Sequence, residues 1–178
     1  MTTLTASRVS RRFFLASTAA AGEALALGFH IPFSLALAAD NPPEVNAWVV
    51  VHPDDTVVIR IARSEMGQGT MTGLAQLVVE ELECDWSKVT TEFPTPAENA
   101  SRKRVWGNLS TGGSRGIRDS HQYVREGGAA ARDMLIRAAA TGWGVPAEEC
   151  SAANSIITHK SSGRTTTFGQ GCRGGREA

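Results

Sequence analysis

Charge of one sign is missing from this chain. Its 18 basic and 18 acidic residues cancel over 178 positions, so the basic excess that marks a nucleic-acid or anionic-membrane partner is absent. Cysteine is scarce too. Cys84, Cys150 and Cys172 form no CxxC pair and have no histidine at metal-ligand spacing, which argues against a zinc or iron–sulfur site built from this chain. Two readings of Cys84 and Cys150 stay open: a disulfide in an oxidising compartment, or two small buried thiols. GxGxxG and P-loop patterns are lacking, no serine sits in a GxSxG elbow, and none of the four histidines has a partner at motif spacing. Nucleophilic catalysis therefore has little to stand on, and no catalytic residue is assigned. What remains is a 42 % hydrophobic chain, enough for one ordinary globular domain.

The front of the chain reads as an export signal. Arg8, Arg11 and Arg12 precede a run of alanine, leucine and phenylalanine, and Ala36-Leu37-Ala38 offers a small-x-small cleavage site. Ser10-Arg11-Arg12-Phe13-Phe14-Leu15 resembles the twin-arginine signal, which exports folded proteins and implies a periplasmic location. A membrane anchor is the weaker reading, because Glu23, His30 and Pro32 interrupt the stretch and a charge at a helix centre costs roughly 2.5–3.5 kcal/mol on insertion. Residues 1–40 are therefore taken as signal, with no stable membrane span expected.

After the Asn41-Pro42-Pro43 linker, residues 47–52 and 57–61 predict a hairpin around the Pro53-Asp54-Asp55-Thr56 turn. Glu65-Met66-Gly67-Gln68-Gly69-Thr70 follows, a glycine-bracketed loop opening a helix whose apolar positions are Met71, Leu74, Ala75, Val78 and Leu82. Thr70 is the expected N-cap. The helix's unpaired N–H groups are expected to serve as anion donors, and Glu65 reads as a structural carboxylate bonding backbone N–H groups.

Residues 89–93 predict a strand, and 94–108 a loop carrying the solvated cluster Arg102-Lys103-Arg104. A second glycine loop, Ser110-Thr111-Gly112-Gly113-Ser114-Arg115-Gly116, opens a helix with the stripe Ile117, His121, Val124, Gly128, Ala131, Leu135 and Ala138. His121 reads as packed or interfacial. Gly127-Gly128 permits a very close neighbouring backbone, and Gly142 and Pro146 end the helix with Trp143 packing back. Residues 155–159 and 164–167 predict a closing hairpin, and from Gly171 the chain has no core face. The fold class expected is α+β, β-hairpins with amphipathic helices.

One GxG before a helix is more often a tight turn than a ligand site. Two such loops, carrying Gln68 and Thr70 in one and Ser114 and Arg115 in the other, suit an extended anionic cofactor held from two sides.

A resemblance sharpens this. Glu65-Met66-Gly67-Gln68-Gly69, Val79-Glu80-Glu81-Leu82 with Asp85-Trp86, Ser110-Thr111-Gly112-Gly113-Ser114, Ala129-Ala130-Ala131-Arg132-Asp133-Met134-Leu135 and Trp143-Gly144-Val145-Pro146 occur in that order. From about Trp48 to Phe168 the chain resembles the molybdopterin-binding large subunit of the xanthine dehydrogenase/aldehyde oxidase superfamily, in its isoquinoline 1-oxidoreductase beta-subunit-like branch. The resemblance implies a partial molybdopterin-binding domain over residues 41–168. It also implies a molybdenum–molybdopterin dinucleotide that serves hydroxylation of aldehydes or N-heterocycles with water as oxygen source. Iron–sulfur clusters on a separate small subunit would take the electrons, with a cytochrome c as a further candidate acceptor. Gly67, Gln68, Gly69, Thr70, Gly112, Gly113, Ser114 and Arg115 are the implied cofactor contacts. The pterin dithiolene supplies the metal's ligands, so no protein metal ligand is expected.

Family large subunits are several times longer, and their catalytic glutamate lies near the far end, without a counterpart here. The chain is accordingly expected to be an inactive fragment, with residues 169–178 an atypical tail from a frameshift or truncated gene. The alternatives are a noncatalytic binding or subunit-interaction module, or a nonfunctional truncated product.

Overall fold

The structure is a computed structural model that describes residues 44–174, with side chains through Gly171. The signal segment and residues 175–178 lie outside the described residues. Within them, β1 (Val49–Val51) pairs antiparallel with β2 (Val57–Arg60), in the expected hairpin. The chain then makes the first glycine loop and α1 (Thr70–Leu82), and returns as β3 (Val89–Glu92) parallel to β2. Parallel strands need a crossover connection, and α1 is that crossover.

Alternate residues of the first sheet, Val49, Val51, Val57 and Ile59, pack with Leu74, Ala75, Val78 and Leu82 of α1. Val50 and Val58 face the other way and are buried as well. On that side Trp106 donates its indole N–H to the Ala47 carbonyl at 2.9 Å, beneath the guanidinium groups of Arg60 and Arg102. Arg102, Lys103 and Arg104 are all exposed, as the solvated reading expects, and Arg102 in addition forms a two-point ion pair with Glu44. Arg60 Nη1 lies 3.1 Å from Glu44 Oε2 without a hydrogen bond, as an ion pair set off the N–H axis.

Residues 94–108 are not wholly loop. Thr95 and Glu98 form a reciprocal capping box, with Thr95 Oγ1 accepting from the Glu98 N–H at 3.1 Å and Glu98 Oε2 accepting from the Thr95 N–H at 2.8 Å. Pro96 occupies the first turn, where its missing N–H costs nothing, and α2 (Pro96–Ser101) results.

The second glycine loop leads into a single turn, α3 (Arg115–Arg118), which breaks before α4 (His121–Trp143). The expected continuous stripe is thus interrupted. Ile117 and His121 are exposed, and the buried face of α4 runs through Val124, Gly127, Gly128, Ala131, Leu135, Ala139 and Ala140. Gly142 stays helical, and Gly144, with φ 66°, is the left-handed C-cap. A helix with so many glycines is intrinsically weak, each costing roughly 1 kcal/mol relative to alanine. Burying Val124 and Leu135, 1 % and 2 % exposed, recovers about 1.5–3 kcal/mol apiece.

A second sheet closes the fold: β4 (Cys150–Ala153), β5 (Ile156–His159) and β6 (Thr165–Thr167), all antiparallel. The expected hairpin is β5–β6, and β4 extends it. Ser155 ties this sheet to the end of α1, donating its N–H to the Glu83 carbonyl and accepting the Asp85 N–H at 2.8 Å. Phe168, fully buried, starts α5 (Phe168–Gly174), and Gly169 donates its N–H to Asp55 Oδ1 at 2.8 Å. Cys84 and Cys150 are buried free thiols rather than a disulfide, and burial pushes the Cys84 thiol up to about 12.

The closest helix approach is at Gly128, where an added Cβ would stand 2.6 Å from the Val78 carbonyl oxygen and 3.1 Å from Glu81 Cβ. Gly128→Ala gains about 1 kcal/mol of helix propensity but overpacks against backbone, at the upper end of roughly 1–3 kcal/mol. Urea unfolding is expected to show a net loss of about 1–2 kcal/mol; a midpoint at or above wild type would contradict the packing described.

Candidate functional site

The first loop leaves β2 through the buried Ile61 and Ala62 and turns at Gly67 and Gly69, whose φ angles of 91° and 76° suit glycine. Gly69, not Thr70, is the N-cap of α1, and no side chain caps from that position. Thr70 is the first helical residue and is buried, held so close to Gly116 that an added Cβ there would lie 2.9 Å from Thr70 Oγ1. Three amides of the loop and helix end, those of Gly67, Gly69 and Met71, are bonded from within. Glu65 Oε1 accepts from Gly67 at 2.7 Å and Gly69 at 3.0 Å, and Oε2 accepts from Met71 at 2.9 Å. These bonds, from Met71 first, then Gly69 and Gly67, hold the Glu65 carboxyl below its usual range. Gln68 completes the loop, accepting from Met66 at 2.6 Å and donating to the Ser64 carbonyl at 2.7 Å. Glu65 is therefore the structural carboxylate expected, and it corrects the idea that these amides stand free for an external anion.

The second loop keeps more of its capacity. Gly113 and Ser114 have φ of 60° and 55°, and Ser114 N-caps α3 without a side-chain capping bond. A non-glycine residue in that region stores strain, which persists where its surroundings hold it. Arg115 bonds only weakly within the chain: Nε lies 3.3 Å from the Gly112 carbonyl and 3.9 Å from Asp119 Oδ2. Arg118 reaches Asp119 at 3.3 Å and the Gly113 carbonyl at 3.4 Å.

The two loops meet. Thr70 packs on Gly116, an added Cβ on Gly73 would lie 3.1 Å from Ile117 Cδ1, and a cavity of about 510 Å³ opens between them. Gln68, Thr70, Gly112, Gly113, Ser114 and Arg115, six of the eight predicted contacts, line it together with Met66 and Ile117. Gly67 and Gly69 do not; they shape the loop from behind.

No carboxylate lines this cavity, and its donors are a guanidinium, hydroxyls, an amide and loop backbone, beside two exposed apolar side chains. That donor set fits an anionic ligand with an apolar portion, such as a pterin joined to phosphates. A larger cavity, about 600 Å³, lies between Trp48, Trp106, Tyr123, Arg63 and Glu126. We favour the smaller one, because Glu126 would repel an anion from the larger and no glycine-loop residue from 64–70 or 110–116 reaches it. Among the described residues no cluster of histidine, cysteine or carboxylate side chains could hold a metal ion, and no helix is long and apolar enough to cross a membrane.

The histidines contribute elsewhere. His121 is exposed, with Nδ1 3.1 Å from the Arg118 carbonyl oxygen. His159 is buried and contacts Glu149 Oε2 through Nε2 at 2.9 Å and Ser162 Oγ through Nδ1 at 2.7 Å, a partnership that sequence spacing did not signal. It holds the β5–β6 turn and lines neither cavity.

Comparison with known proteins gives four findings. A family model described as a molybdopterin cofactor-binding domain matches residues 10–175. The isoquinoline 1-oxidoreductase subunit beta of Brevundimonas diminuta is 32 % identical over 169 residues, covering 92 % of this chain and 22 % of that protein. The membrane-bound aldehyde dehydrogenase [pyrroloquinoline-quinone] of Gluconacetobacter polyoxogenes is 31 % identical over 169 residues, covering 90 % and 21 %. The chain thus spans about a fifth of the length of the curated relatives it matches. Among solved structures, the Cu,Mo-CO dehydrogenase in its carbon monoxide reduced state shares the fold, with a TM-score of 0.54 and 19 % identity over 69 % of this chain and 15 % of that one.

Because the Glu65 carboxyl titrates lower folded than unfolded, its contribution is complete above the ordinary carboxylate range and is lost as pH falls through the folded value. Amide exchange at Gly67, Gly69 and Met71 is expected to lose protection together only as pH falls below the ordinary glutamate value of about 4.5, and to lack it at every pH in Glu65→Gln. Protection that is independent of pH would show that Glu65 does not hold the loop.

Proposed function

The chain belongs to the molybdopterin cofactor-binding domain family, and from that premise we propose that the cavity between its two glycine loops receives part of a molybdenum–molybdopterin dinucleotide. The observation that carries this reading is the convergence of Gln68, Thr70, Gly112, Gly113, Ser114 and Arg115 on one carboxylate-free cavity. Arg115 and the Ser114 hydroxyl would bind the pyrophosphate, Gln68 would orient it from the opposite loop, and Met66 and Ile117 would exclude water from the apolar part. Bound there, the cofactor supplies the redox chemistry for hydroxylating an aldehyde or N-heterocycle. Its anchoring falls mainly to the second loop, because Glu65 already takes the amides of Gly67, Gly69 and Met71.

The chain on this view contributes cofactor-binding loops to a molybdenum hydroxylase large subunit. An iron–sulfur small subunit, with a cytochrome c as a further acceptor, would receive the electrons. Its site of action would be the periplasm, reached through Arg11-Arg12 of the segment 1–40.

The test is to express the full chain in a bacterium that makes the cofactor and to assay the periplasmic fraction for molybdenum and pterin fluorescence. Wild type is expected to carry both. Arg115→Ala is expected to lose roughly tenfold or more, as removal of charge-assisted hydrogen bonds worth about 1.5–3 kcal/mol requires. Lysine at both Arg11 and Arg12 should leave the chain in the cytoplasm. Equal molybdenum in wild type and Arg115→Ala would overturn the site assignment. Retention of pyrroloquinoline quinone instead, the cofactor in one relative's name, would overturn the choice of cofactor.

A further inference from the structure

Arg63 lies two residues before the carboxylate that organises the first loop, and it does not line the cavity between the loops. Its half-buried guanidinium instead joins two other segments. Nε donates to Ser120 Oγ at 3.0 Å, and Nη1 donates to the Ser110 carbonyl. Ser120 is fully buried at the break between α3 and α4, where its hydroxyl also meets the Tyr123 hydroxyl at 2.7 Å. The next residue, Ser64, donates its N–H to Thr111 Oγ1 at 2.8 Å and accepts at its carbonyl from Gln68. Two consecutive residues therefore grip the start of the second loop at Ser110 and Thr111, the end of its short helix at Ser120, and the first loop at Gln68.

We propose that Arg63 is a positioning residue for the cavity: its fork, seated on Ser110 and Ser120 together, sets the spacing of the two glycine loops and of the groups they offer a ligand. The guanidinium holds its donors in fixed directions, so it meets a carbonyl and a hydroxyl on separate segments at once; a lysine ammonium is a point charge on a flexible stem and does not reproduce that span. The same contacts explain the interruption of the second helix. Ser120 is turned inward to receive Arg63 and Tyr123, and the apolar stripe restarts beyond it. The proposal rests on the reading of this cavity as the ligand site, but the holding action needs no ligand.

Amide hydrogen exchange on the full chain separates the two. In Arg63→Gln and Arg63→Lys, exchange at the Asp119 and Ser120 amides, which bond the Arg115 and Ile117 carbonyls, is expected to rise about tenfold or more, while β4, β5 and β6 stay within about twofold of wild type. Failure of lysine to rescue identifies the fork rather than the charge. Unchanged exchange at Asp119 and Ser120, a uniform rise across all elements, or full rescue by lysine would each overturn the proposal. If Arg63→Gln does not fold, Ser120→Ala removes the Nε acceptor and is read by the same criteria, against Tyr123→Phe as the control for the Tyr123 hydroxyl bond that it also removes. Inorganic pyrophosphate serves as the ligand probe: wild type is expected to bind it and Arg63→Gln about fivefold or more weakly. Equal pyrophosphate affinity in the two would overturn the link from spacing to binding. The exchange pattern without any pyrophosphate binding by wild type would leave Arg63's holding role standing and remove the anion-site reading.

Discussion

α4 approaches α1 so closely that the Val78 carbonyl occupies the space a β-carbon on residue 128 would need, and both glycine loops are carried by the elements that this contact joins. Each loop opens a helix on the same side of the fold: the first opens α1, and the second reaches α4 through α3. Bringing the helices together at Gly128 therefore brings the loops together at Thr70–Gly116 and Gly73–Ile117. Ion pairs of Arg125 with Glu81 and Arg132 with Glu83 flank the helix contact, but exposed pairs contribute only about 0–1 kcal/mol each. Close packing of backbone on backbone, not surface charge, positions the site.

Loop electrostatics then divide the labour. Glu65 places a carboxylate where the dipole of α1 would otherwise attract an external anion, and it takes the amides of Gly67, Gly69 and Met71. Ser114 and Arg115 keep a hydroxyl and a guanidinium that the fold itself uses little. The arrangement suits a ligand that enters with its own negative charge against the second loop and meets the first through Gln68.

Local signals made much of this legible from sequence. The hairpin, α1, both glycine loops and Glu65's structural role follow from alternation, helical period and the short reach of a carboxylate to amides two, four and six residues on. One miss was local: residues 94–108 contain a capping box at Thr95 and Glu98, with Pro96 in the first helical turn. The others share a cause, which is dependence on distant partners. The periodic stripe through Ile117 and His121 predicts one continuous helix; the structure breaks it at Ser120, whose hydroxyl accepts from Arg63, 57 residues away. β4 is Cys-Ser-Ala-Ala, without the β-branched residues that announce a strand, and is a strand because β5 pairs with it. Arg102 pairs with Glu44, 58 residues away in sequence, and its guanidinium also lies over the nearby Trp106 ring.

The central claim is that the two loops form one anion-receiving cavity in which the second loop does most of the binding. Backbone NMR of the isotopically labelled chain, titrated with the isolated pterin dinucleotide, tests it most directly. The account predicts that the amide signals of Gly112, Gly113, Ser114 and Arg115 and the Gln68 side-chain amide shift together on one binding curve, while the Gly67 and Gly69 amides, held by Glu65, move least. Shifts centred on Gly67, Gly69 and Met71 with the second loop silent, or shifts confined to the larger cavity around Trp48 and Tyr123, would contradict it.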